Sequence, residues 1–251
     1  MNAEFQTWIL HAFLIFCRIG ACMMLMPGLS SSRLPVQVRL FFAIGLSLAL
    51  LPVVEPQIQS GGNPSTVPSL LWTIVTELGT GAFIGFLARI FFLALQALLA
   101  ASSQIIGFTG LAGTVVDDGE QAPEIATLLT LVATALVFLS GLHWQLLRGL
   151  VDSYSQMPMG QFAGAARFLT AVVDQLGTTF ILALRITSPF FIYSLIVNFA
   201  VGLTNKMVPQ IPVYFISIPI VTAGGLLLLY FMVTEMLTDF LDAFGAWVTG
   251  M

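Results

Sequence analysis

Six stretches of the chain, at about residues 5–26, 38–54, 69–101, 125–149, 177–203 and 213–244, are almost free of charge and dominated by aliphatic and aromatic side chains. Several exceed the roughly 20 apolar residues that a helix needs to cross the hydrocarbon of a bilayer. Lipid offers the backbone no water, so a spanning segment must pair its own N–H and C=O groups, and a helix does this within one segment. The runs therefore predict an all-α, polytopic integral membrane protein. Composition agrees: 58% of the residues are hydrophobic and only 8% charged, with a mean hydropathy of +0.99. A soluble domain carries about a quarter charged residues. The net charge of −4 and a pI near 4.9 argue against nucleic acid as a partner.

The first run, Trp8 to Met26, is longer than the apolar core of a signal peptide and has no basic segment before it, so no cleavable leader is expected. Cys17 and Cys22 both fall in this run and point to different helix faces. They read as small apolar packing residues, neither a metal pair nor a disulfide framework. Between the runs lie "PGLSSSRLP", "EPQIQSGGNPSTVPS", "GFTGLAGTVVDDGEQAP", a mixed stretch from Val151 to Leu176, and "NKMVPQIPV". Each carries the Gly, Pro, Ser or Asn that punctuates helices. No repeat or low-complexity tract interrupts the chain, which reads as one domain over residues 1–251 with a carboxyl-terminal hairpin at about 177–248. The third run is too long for one untilted crossing, so a bend or an extension beyond the bilayer is expected.

Arg33 and Arg39 flank the first turn and Lys206, the only lysine, sits in the last. Simple alternation puts both turns on one side, and the positive-inside tendency makes that side cytoplasmic. Arg148 and Arg167 fall on the opposite side and weigh against this orientation.

Charged groups within apolar runs are costly and call for an explanation. Here they are Arg18, Glu77, Arg89 and Arg185, with His143 near the end of a run. A proton or ion relay is one reading. Structural ion pairs, or contacts to partner subunits, are the other, and this one is favoured because relays draw on acids and histidines and only Glu77 fits. His143 in "SGLHW" sits beside Trp144, where aromatic residues collect at an interface. No paired-histidine metal motif, phosphate-cradling loop or nucleophile elbow is present, so neither an enzyme nor a metal or cofactor site is expected. The acidic pair Asp117 and Asp118 reads as solvated loop.

"ELGTGAFIG" places Glu77, Gly81 and Gly85 four residues apart on one helix face. Gly81 and Gly85 form a small-xxx-small track that admits a second backbone, which marks a protein-facing surface. In "QIIGFTGLAGTVVDDGEQAP", Gly107, Phe108, Thr109, Gly110 and Leu111 set bulky side chains among glycines. An ordinary loop is one reading, and a mobile obstruction in a pore is the other. Non-helical backbone at membrane depth is tolerated only against protein or a water-filled cavity. In "NKMVPQIPV", Pro209 and Pro212 cannot continue a helix, so Asn205 to Val213 reads as a turn.

Taken together these segments resemble the FliR/SctT family of type III export-gate subunits. "CRIGACMMLMPGLSSSRLPVQVR" resembles the family's amino-terminal signature, and "ELGTGAFIG" its third-segment pattern. "GLHWQLLRGLVDSYSQMPMG" resembles its central segment, and "VNFAVGLTNKMVPQIPVYFISIPI" the run before its last hairpin arm. Lys206 stands where the family more often has arginine. The resemblance implies a structural and gating subunit, not an enzyme, that lets unfolded flagellar proteins cross the bacterial inner membrane at the flagellar basal body. It further implies a helical assembly with FliP and FliQ, contact with the switch protein FlhB and with FlhA, and helices that are broken or stacked outside the bilayer. By the same resemblance Gly107–Leu111 corresponds to the plug that closes the resting pore. Asn205, Lys206, Pro209 and Gln210 would meet a partner in the cytoplasm, and Arg18, Glu77, Gly81, Gly85 and Arg185 would serve intramembrane packing or pairing. An injectisome counterpart of the same gate, a secondary transporter of ions or small solutes, and a purely structural scaffold are the alternatives. A transporter would be favoured by inverted repeats, and none is apparent.

Overall fold

The computed structural model describes residues 3–30, 35–59, 66–105, 124–161, 164–208, 210 and 213–250. Among them every regular element is a helix: α1 (Ala3–Leu25), α2 (Val36–Gln59), α3 (Val67–Ile105), α4 (Glu124–Leu139), α5 (Leu142–Gln156), α6 (Ala165–Met207) and α7 (Val213–Thr249). Five of these are long and apolar enough to cross a membrane, or up to six spans if the bent pair α4 and α5 counts as one. The all-α membrane architecture expected from the apolar runs is what forms.

Four boundaries differ from the sequence reading. The fourth run is two helices bent by 70° at Ser140–Gly141. Gly141 holds φ at +77°, a left-handed conformation that costs a glycine little, and its N–H donates to the Phe138 carbonyl. Pro52 and Pro56 do not end α2, which runs on to Gln59. Buried Val54 and Ile58 anchor that final part, so packing outweighs the helix-breaking tendency. The stretch after Gly164 is helical as well, and it joins the fifth run to make the 43-residue α6. That helix continues through Asn205 and Lys206 to Met207, so the first three residues of the expected turn are helical. Lys206 lies in the last turn, where a cation complements the carbonyl end of the helix dipole.

The chain forms two compact units. The first comprises residues 1–92, 137–176 and 245–251. Here α1 packs on α2, and α2 on α5. Its core takes Ile15, Ile19, Cys22 and Met23 from α1, at the three- and four-residue spacing of one helix face. Leu51, Val54 and Ile58 of α2 repeat that spacing, and Ile84, Leu150 and Tyr154 complete the cluster. Cys17 and Cys22 are both free and buried. The second unit comprises residues 93–136 and 177–244. Within it the Tyr193 hydroxyl of α6 donates to the Val221 carbonyl of α7 at 2.8 Å. Gly224 lies directly under that tyrosine, where a Cβ would collide with the phenol.

Candidate functional site

A buried charge cluster ties the first unit together. Arg18 and Glu77, on α1 and α3, have fully buried side chains. The guanidinium meets the carboxylate with two bonds, Nε to Oε2 at 2.7 Å and Nη2 to Oε1 at 2.8 Å. Nη1 donates to the Ser153 hydroxyl at 3.1 Å, and Nη2 also donates to the Met157 carbonyl at 3.0 Å. The Tyr154 ring lies against the guanidinium, 3.8 Å from Cζ to the ring centroid. Glu77 receives a further hydrogen bond from the Gly160 backbone. Gly160 holds φ at +77°, in the turn that follows α5.

The local sequence explains how these groups converge. Gly81 and Gly85 lie one and two helical turns after Glu77. A Cβ on Gly81 would overlap the Arg18 carbonyl, and one on Gly85 would stand 2.5 Å from the Cys22 carbonyl. The small-residue track therefore serves α1 of the same chain, and the close backbone approach brings Arg18 within reach of Glu77. On α5, Leu146, Gly149, Leu150, Ser153 and Tyr154 form the buried face, so Ser153 and Tyr154 point inward on the same stripe.

Chemically this is a clamp. Burying an isolated charge is expensive, and the expense is offset only when the charge is paired and its remaining hydrogen-bonding capacity is used. Here the charge is paired, and four of the five N–H donors of Arg18 have partners. The planar guanidinium fork meets the Glu77 carboxylate in two places, so the pair fixes both position and orientation of α1 against α3.

The other residues singled out from the sequence lie elsewhere. Arg185, expected among the buried charges, is exposed on α6. Arg89 is half-buried on α3. Asn205, Lys206 and Gln210 are exposed at the end of α6 and just beyond it, which leaves their side chains accessible. Pro209 lies outside the described residues, as do Gly107, Phe108, Thr109, Gly110 and Leu111. His143 stacks on Phe138 with ring centroids 5.4 Å apart, beside the α4–α5 bend. Ser153, Tyr154, Met157 and Gly160 have no sequence signal of their own, apart from the inward stripe of α5.

The fold and the clamp define a class: a polytopic, all-helical membrane protein with a buried Arg–Glu pair that locks two of its helices together. Comparison with known proteins gives the family. Residues 9–247 match the family described as "Bacterial export proteins, family 1", and the chain belongs to it. It is 28% identical over 234 residues to the flagellar biosynthetic protein FliR of Caulobacter vibrioides, covering 91% of each chain. The FliR protein of Escherichia coli strain K12 is 25% identical over 91% of this chain and 86% of its own. The Yop proteins translocation protein T of Yersinia pestis is 26% identical over 93% of this chain and 89% of its own. The chain is accordingly a membrane-embedded component of a type III protein-export apparatus, and it associates with other components of that apparatus.

Proposed function

We propose that the chain is a structural and gating subunit of the flagellar export gate in the bacterial inner membrane. It acts without catalysis, as one subunit spanning residues 1–251, and assembles with FliP and FliQ. Unfolded flagellar proteins pass through the assembled gate. Gly107–Leu111 is the closure in the resting state, and the exposed Asn205, Lys206 and Gln210 form a contact for FlhB, with FlhA as a further partner.

The observation that carries this reading is the apolar surface along α6. Large hydrophobic side chains are exposed from Leu169 to Met207, among them Ile181, Leu195 and Phe199. At about 1.5 Å per residue this is roughly 57 Å of helix. The hydrocarbon core of a bilayer is about 30 Å thick. Lipid covers only part of such a surface when the helix stands upright, and protein neighbours must cover the rest. That is the situation of a subunit in a multi-subunit helical gate.

Deleting the gene and assaying culture medium for hook and filament proteins tests the function. Secretion should stop, and should return when the chain is re-expressed. Secretion that continues at the wild-type level without the chain would overturn the reading. The Yersinia relative matches this chain nearly as well as the flagellar relatives, which supports an injectisome gate as the second reading. If re-expression restores injectisome secretion and leaves flagellar secretion absent, the second reading replaces the first.

A further inference from the structure

We propose that a cavity in the first unit binds one anionic phospholipid, with Arg167 holding the phosphate. The cavity has a volume of about 240 Å³. Its walls are largely apolar: Phe83, Ile84 and Leu87 of α3 face Phe168 and Ala171 of α6. The one charged side chain that lines it is Arg167.

Arg167 has no acidic partner among the described residues. It is exposed, so its guanidinium stands at the edge of the cavity and not within the core. An unpaired cation beside an apolar hollow matches an amphiphile with a negative head. A guanidinium presents a planar fork of donors that suits a phosphate group.

A second hollow, of about 360 Å³, shares Phe83 and Phe168 with the first and continues along Gly79, Ala82 and Phe86. No charged residue lines it. The two rings that separate the hollows meet edge to face, with centroids 4.2 Å apart. Gly79 has open space where a Cβ would be, so the groove floor beside α3 is unfilled. The pair of hollows thus offers a head site at Arg167 and an apolar track leading away from it. A soluble anion would use the first feature and leave the second empty. A neutral detergent would use the second and gain nothing from the first, and a zwitterionic lipid would bring a phosphate whose charge its own cationic head group offsets.

The cavity also borders the clamp. Ser153 and Met157 line it, and both are hydrogen-bonded to Arg18. A lipid seated there packs against two of the groups that hold the buried arginine, so occupancy should stiffen the first unit.

The test uses the gate complex purified with its partner subunits and compares wild type with Arg167→Gln and Ala171→Trp. The first variant removes the head contact at an exposed position, and the second fills the hollow from its apolar side. After delipidation, each complex is incubated with phosphatidylglycerol, phosphatidylcholine or inorganic phosphate, and retained lipid per complex is counted by native mass spectrometry alongside the melting temperature. Wild type should retain one phosphatidylglycerol more per copy of this chain than either variant, with about tenfold weaker retention for Arg167→Gln. It should melt higher with phosphatidylglycerol only. Equal phosphatidylglycerol retention by wild type and both variants would overturn the proposal. So would equal protection by phosphatidylcholine, which would make this a groove for phospholipids regardless of net charge, or by inorganic phosphate, which would make it a free-anion site. If a photo-crosslinker placed at Ala171 joins a partner subunit and not lipid, protein occupies the cavity and the proposal fails.

Discussion

Gly81 of α3 lies against the backbone carbonyl of Arg18 on α1, with no room between the two helices for a methyl group. One turn earlier on α3, Glu77 grips the Arg18 side chain. The same residue of α1 is therefore held twice, through its backbone by close packing and through its side chain by charge.

That contact gives opposite expectations for glycines of similar appearance. Gly81→Ala forces side chain against backbone and should destabilise the purified complex by about 1–3 kcal/mol, the usual range for overpacking. Gly45 on α2 has open space where a methyl group would stand, so Gly45→Ala should be neutral or should stabilise the helix by up to about 1 kcal/mol. Thermal unfolding of the two variants side by side checks this, and equal melting temperatures would mean that α1 and α3 do not approach so closely.

The Arg18–Glu77 pair should behave as a unit. Either Arg18→Met or Glu77→Met leaves a buried charge unmatched and should cost about 3–5 kcal/mol. The double replacement removes both charges and should recover much of that loss, because apolar residues can fill the space without any ionic desolvation. A double-mutant cycle on unfolding free energies measures the coupling. Strictly additive losses would show that the two side chains do not meet.

Lys206→Glu places a negative charge at the carbonyl end of α6 in an exposed position. The loss of fold stability should be small, within about 1 kcal/mol, as for a surface charge near a helix end. If Lys206 contacts a cytoplasmic partner, secretion should fall more than the yield of assembled complex. The pair of measurements separates the two effects, and normal secretion at normal complex yield would remove the contact role.

The helices are legible in the sequence because an apolar run in lipid has few alternatives. Their ends are less so. The helix continues past Pro52 and Pro56 because Val54 and Ile58 have a core to enter, and that core belongs to residues far away in the chain. The break at Gly141 depends on one glycine adopting a left-handed conformation, and many glycines in helices do not. The site is half legible. Arg18 and Glu77 stand out as charges in apolar runs, and Gly81 and Gly85 as a packing track. Their partnership spans 59 positions, and no local pattern announces a pairing across that separation. From sequence, a need for protein neighbours reads equally as a need for other subunits, whereas for these four residues the neighbours are supplied within the chain. Arg185 groups with Arg18 in the sequence because both interrupt apolar runs. Periodicity alone does not say which face of a long helix is covered, and the Arg185 side is open.

Whether this chain closes and opens an export pore is decided by the ion conductance of membranes carrying the assembled gate. The comparison is between wild type, Phe108→Ala and a deletion of Gly107 to Gly110. Truncating phenylalanine to alanine removes most of the side chain's volume, and neighbouring atoms fill such gaps only in part. A closing role for Gly107–Leu111 requires a tight wild-type gate, a leak in Phe108→Ala and a larger leak in the deletion, with all three complexes assembled at equal levels. Membranes as tight as wild type in both variants, at normal assembly, would contradict it.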